Sequence, residues 1–159
     1  MTRGSGCRTT ALILVPLVFF AALLVAGIGK KVLVLEIEGP NVVLPVSEGD
    51  VFLHTYTHSM YGVPVQEKFR IQDGHFRLVH IMTQSDAVLA YLGIEGKDEP
   101  NVDETFREFT IPAASVGNHA IRVRGTNVPL GTHEGRGGRV RVSIVSIPVL
   151  VYLAHLVWS

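Results

Sequence analysis

Between two runs of alternating apolar residues lies the dipeptide Asp73-Gly74, and it constrains the fold more than any other feature of the chain. A two-residue type I′ turn needs positive φ at both central positions, which Asp-Gly supplies at low cost, so the flanking runs are predicted to pair as a hairpin. With Asp73 and Gly74 at the bend, Gln72 faces His75, and the register continues as Ile71 opposite Phe76, Phe69 opposite Leu78, Glu67 opposite His80 and Val65 opposite Met82. A further run precedes these two, giving three consecutive strands over Val51 to His58, Val63 to Gln72 and His75 to Met82. The apolar face of the hairpin then carries one ionisable pair. Opposed side chains sit about 4.5–5.5 Å apart at Cβ, and a carboxylate taken out of water needs a partner. His80 is therefore the expected partner of Glu67.

The rest of the middle region reads in the same short units. Lys31 to Glu38 alternates, and Val42 to Val46 is a second strand whose Pro45 suits a sheet edge. Asp86 to Leu92 has helical spacing, with Ser85 or Asp86 to cap it and Gly93 to stop it. Phe106 to Ile111, Ala120 to Arg124 and Val128 to Leu130 are predicted strands, the last two joined by a turn at Gly125-Thr126-Asn127. Glycine-rich 131–138 reads as a flexible linker. Seven or eight short strands with one small helix imply an all-β domain, a small antiparallel sandwich or barrel.

The two ends differ from the middle in composition. Ala11 to Ile28 has no charge and holds twelve Leu, Ile, Val or Phe residues, which is long and apolar enough to span a bilayer. Its exit lacks a small-x-small cleavage site, which favours an uncleaved anchor over a signal peptide. Val142 to Trp158 is expected as a second membrane helix, with a final strand and an apolar tail as the alternative. The expected organisation is an anchor over 1–29, a β-domain over 30–131, a Gly/Arg linker over 132–141 and a second span over 142–159. Basic residues lie on the domain side of both spans, but that count loses force for a connection longer than about 60 residues, so topology stays open.

Composition excludes some classes. Fourteen basic residues balance fourteen acidic ones, which gives no electrostatic grip on nucleic acid. The single cysteine, Cys7, precedes the first apolar run, so the β-domain has no disulfide and no cysteine-ligated metal.

Tyr56-Thr57-His58-Ser59, followed by Pro64-Val65 and Glu67, resembles the bacterial and archaeal family called domain of unknown function 1850, with similarity over about Glu36 to Leu130. The resemblance implies association with tripartite ATP-independent periplasmic (TRAP) transporters whose solute receptors belong to the TAXI class. It also implies a cytoplasmic-membrane protein with its domain outside the cytoplasm, and it brings no catalytic activity and no cofactor. Transporter membrane subunits or the solute receptor are the expected partners.

Seven histidines invite a metal reading as an alternative. If the first two central strands join through a two-residue turn at Met60-Tyr61, His54 falls opposite Glu67, and His54, Glu67 and His80 form a row. Zinc accepts such a set with a fourth position open to water, which would permit a hydrolytic domain. An odd loop length would turn His54 to the other face. His58 and Ser59 are adjacent and point to opposite faces of a strand, and no Gly-x-Ser-x-Gly occurs, so no serine nucleophile is expected.

The ligand-binding candidates are His58, Ser59, Glu67, His80 and Ser85, in a domain that could sense a small molecule. His58 and Ser59 compete with a structural role, satisfying backbone groups at a strand end. His75, His119 and His133 fall in turns or loops and are expected to be exposed. Arg70 and Arg77 face each other, which is unfavourable unless an acid such as Asp103 or Glu104 crosses them.

Overall fold

A computed structural model describes residues 29–37, 40–98, 100–112, 117–130 and 138–158. The chain divides into two units, Lys31–Val145 and a second made of Met1–Lys30 and Ser146–Ser159. The strands are β1 (Gly29–Glu36), β2 (Val42–Pro45), β3 (Val51–Thr57), β4 (Pro64–Gln72), β5 (His75–Thr83), β6 (Glu104–Phe106), β7 (Glu108–Pro112), β8 (Ala120–Val123), β9 (Thr126–Pro129) and β10 (Arg139–Pro148). Among the described residues two short helices accompany them, α1 (Asp86–Tyr91) and α2 (Val149–Trp158). The strands form a four-stranded sheet in the order β2-β1-β10-β7 and a six-stranded sheet in the order β6-β5-β4-β3-β8-β9.

One apolar core joins the sheets, so the fold is the sandwich of the two expected alternatives. Leu33, Leu35, Ile111, Val140 and Val142 from the smaller sheet meet Phe52, Phe69, Ile71 and Phe76 from the larger. Phe109 of β7 stacks on Phe69 at 5.0 Å and lies edge-on to Phe76 at 5.2 Å, while Phe52 and Phe69 stack at 4.6 Å. Ring pairs in these geometries add to the area they bury.

Turn chemistry explains the central strands. Asp73 and Gly74 have φ of 52° and 72°, the type I′ signature, and the pairs Ile71↔Phe76 and Phe69↔Leu78 follow as the bend dictates. Beyond them the register shifts between Lys68 and Phe69, so that Lys68 pairs with His80, Glu67 with Ile81 and Val65 with Thr83. Val79 is the extra residue of a β-bulge, and one extra residue reverses the facing of everything beyond it. The expected Glu67–His80 pair is thereby corrected: His80 shares the outer face with Lys68, and Ile81 enters the core.

Other expectations change for equally local reasons. The segment read as one strand from Phe106 to Ile111 is two, β6 on the larger sheet and β7 on the smaller, with Arg107 at the corner. Strands that pass between sheets in this way turn at such corners. The last hairpin bends at Arg124-Gly125, with φ of 48° and 85°, one position ahead of the expected turn. The expected helix from Val142 is corrected too, because 142–148 continues β10, where Val140 and Val142 alternate inward against Arg139 and Arg141.

Helix α2 holds ten residues, so it rises about 15 Å against a hydrocarbon core of about 30 Å. Among the described residues no helix is long and apolar enough to cross a membrane. The anchor expected over Ala11–Ile28 lies outside the described residues, as do 132–137 of the linker expected over 132–141, whose last three residues, Arg139–Arg141, open β10 instead.

The edge strands are protected. Pro45, Pro112 and Pro129 end β2, β7 and β9, and β6 has only three residues. Where β6 leaves β5 unpaired, the Asn101 side chain takes its place: Oδ1 accepts from the Ile81 N–H at 2.8 Å and Nδ2 donates to the Ile81 carbonyl at 3.0 Å.

Phe52 is fully buried and touches both Phe69 and Phe76. Phe52→Ala is expected to lower unfolding stability by about 3–5 kcal/mol in denaturant titration. A loss below about 1 kcal/mol would show that the ring stack is not central to the core.

Candidate functional site

The inward face of the larger sheet is apolar except at one end. There β3 places His54 opposite Glu67 of β4, and Tyr56, two residues along β3, points to the same face. His119 comes from the residue just ahead of β8, the neighbour of β3 on its other side.

These four side chains form one hydrogen-bonded line. His54 Nδ1 lies 2.9 Å from Glu67 Oε2, and His54 Nε2 lies 3.0 Å from His119 Nδ1. The Tyr56 hydroxyl donates to Glu67 Oε1 at 3.2 Å. The rings of His54, Tyr56 and His119 also stack on one another, with centroids 5.1–5.3 Å apart. The His54 side chain is 7% exposed and that of Glu67 20%.

Polarity orders the protons. An ionised Glu67 accepts from Tyr56 and from His54 Nδ1–H, which leaves His54 Nε2 as an acceptor for His119 Nδ1–H and His119 Nε2 with a lone pair. The four side chains thus form a hydrogen-bonded relay that runs from Tyr56 through Glu67 and His54 to His119.

The surroundings tune its members. Burial first, then the charge of His54, holds the His119 imidazole below its ordinary value of 6.5, against the upward pull of Glu67. Burial, the Glu67 charge and their hydrogen bond raise Tyr56 well above the ordinary phenol value, so it stays a donor. Gly117, at φ +107°, closes over the relay, and its carbonyl accepts from the Thr57 N–H at 2.5 Å. A Cβ there would come within 2.9 Å of His119 Nε2 and 3.2 Å of the Thr57 carbonyl, so only glycine fits.

The sequence candidates do not gather at one place. Glu67 joins the relay, whereas His80 lies on the other face, buried, its Nδ1 without a hydrogen-bond partner among the described residues. His58 packs against Tyr61 and Tyr91, at 5.2 and 5.3 Å, and Ser59 is exposed in the β3–β4 loop. Ser85 caps α1, its hydroxyl accepting from the Val88 N–H at 3.3 Å.

His54 does face Glu67, although by a different loop from the one expected. The connection is four residues, Ser59 to Gly62, closed by the Gly62 N–H on the His58 carbonyl and the His58 N–H on the Val63 carbonyl. It has the same centre as a two-residue turn, so register is preserved.

With His80 on the other face, the row of His54, Glu67 and His80 is not formed. Among the described residues no group of three or more His, Cys, Asp or Glu is placed to hold a metal ion. His119, read as an exposed loop residue, is instead half-buried and part of the relay, and Tyr56 joins it as well. His54 and Tyr56 on alternate positions of one strand carried the signal for Tyr56; nothing local marked His119. His133 lies outside the described residues, and His75 bonds the Asp73 carbonyl at the bend. Asp103 crosses to Arg77 at 2.8 and 3.0 Å, relieving the Arg70–Arg77 opposition as expected.

The chain matches no family model, no curated protein and no solved structure.

Two outcomes are expected. Glu67→Ala leaves the Tyr56 hydroxyl and a buried ring N–H without an acceptor, so denaturant titration should show a loss of about 1–3 kcal/mol, and a loss below about 0.5 kcal/mol would count against the relay. His119 binds its proton less readily folded than unfolded. Stability is therefore full above the ordinary imidazole value and falls as pH drops through it towards the lower folded value. Thermal unfolding from about pH 7.5 to 5 should show this slope, with His119→Gln flattening it; an unchanged slope would reject the assignment.

Proposed function

We propose that this chain is a non-enzymatic, membrane-tethered accessory protein of a TRAP-type transporter of the TAXI class, with its β-sandwich outside the cytoplasm. The observation that carries the reading is where the residues of the family resemblance fall. Tyr56, His58, Ser59, Pro64, Val65 and Glu67 occupy the two arms and the loop of a single hairpin, β3–β4. Within it Tyr56 is bonded to Glu67, and His54 extends the bond to His119. Residues shared for a physical reason are those whose replacement breaks such a line.

Two further features support it. Both ring nitrogens of the buried His54 are engaged, and among the described residues no serine or cysteine is bonded to the relay, which suits a positioning role better than catalysis. On helix α2, Leu150, Val151 and Leu153 are about half exposed, an apolar surface suited to lipid or to a membrane subunit.

The test is affinity purification of the tagged chain from its own membrane together with deletion of its gene. Transporter subunits or the solute receptor should copurify, uptake of the transporter's solute should fall on deletion, and Glu67→Ala should weaken the copurification. Unchanged uptake with no transporter component recovered would reject the reading.

A further inference from the structure

The larger sheet carries a concavity of about 530 Å³ on its outer face, at the same end as the relay but on the opposite side of the strands. Its floor is a row of cross-strand neighbours, Thr55, Gln66 and Met82, followed by a second row that begins with Thr57 and Pro64. Gln84, just after β5, and Asn118, just before β8, complete it.

The chemistry of this lining is narrow. Among the described residues the one ionisable side chain in it, Tyr56, directs its hydroxyl to Glu67 on the inward face. The amides of Gln66, Gln84 and Asn118 and the hydroxyl of Thr57 make no hydrogen bond among the described residues. No acidic or basic side chain lines the concavity among the described residues, so a charged ligand would find no counter-charge in the lining itself. A hydrocarbon would strand three amides. An uncharged molecule with several hydroxyl or amide groups and an apolar edge satisfies the rim and the Pro64–Met82 floor together. The volume falls within the roughly 300–1,000 Å³ of small-molecule sites. Asn118 lies between Gly117, whose carbonyl accepts from the Thr57 N–H, and His119 of the relay, so its backbone is held by its neighbours.

We propose that this concavity binds a neutral, hydrogen-bonding solute of saccharide-like chemistry, through the side chains of Gln66, Gln84, Asn118 and Thr57. The proposal stands apart from the transporter reading, and it makes an organic acid an unsuitable occupant of this face.

The full chain in phosphatidylcholine nanodiscs, free of sugar detergents, would be titrated with maltose and N-acetylglucosamine, and with succinate as the charged control. Saturation-transfer NMR would detect contact and calorimetry affinity. At least one neutral probe should bind, succinate should not, and Gln66→Glu should weaken binding by about tenfold or more with thermal unfolding unchanged. Asn118→Gly, which accepts the positive φ of 48° at that position, provides a second variant that preserves the backbone and should also lose affinity. Absence of binding by either sugar at ~10 mM, equal binding of succinate, or affinity unchanged in both variants would overturn it.

Discussion

A carboxylate can face the inside of a sandwich only if its lone pairs are filled, and that requirement shapes one end of this molecule. Glu67 sits between Val65 and Phe69 on the inward side of β4. It is bonded by His54 and Tyr56 from the adjacent strand, and His54 needs His119 in turn. Two strands, β3 and β4, and the segment ahead of β8 are thus tied by a polar line where the aromatic core runs out. Removing any member leaves a buried donor or acceptor unmatched, which costs more than the bond contributes. The same geometry explains why Gly117 has no side chain.

Much of this was legible from residues alone, and the boundary is physical. Asp73-Gly74 dictates a bend, and alternation dictates which residues turn inward, so the first pairs of the hairpin follow directly. The bulge at Val79 has no comparable local signature, because valine is as content in a regular strand as in a bulge. A single unpaired residue therefore separated Glu67 from the histidine that periodicity assigned to it. The correct partner, His54, was visible only as a conditional register, since parity of the β3–β4 loop decided it. His119 was hidden by sequence distance, being 65 positions from the ring it touches. Phe109 was hidden in another way: an alternating run over 106–111 gives no sign that Arg107 carries the chain from one sheet to the other.

The two faces of the larger sheet consequently do different chemistry through the same strands. Inward, ionisable groups are permitted because they are paired; outward at the same end, neutral amides and hydroxyls are left unpaired around an open concavity. Tyr56 and Val65 line that concavity while their side chains point the other way, and Asn118 separates Gly117 from His119. Residues 117–119 thus border both the relay and the concavity.

The sheet edge completed by Asn101 makes the integrity of the fold partly a matter of chemical ageing. The primary amide of Asn101 accepts from the Ile81 N–H with its oxygen and donates to the Ile81 carbonyl with its nitrogen. Slow hydrolysis of that one side chain to aspartate would keep the acceptor but set a negative charge against the carbonyl oxygen. An old molecule would then present an open strand that a freshly made one does not, without any change in its core.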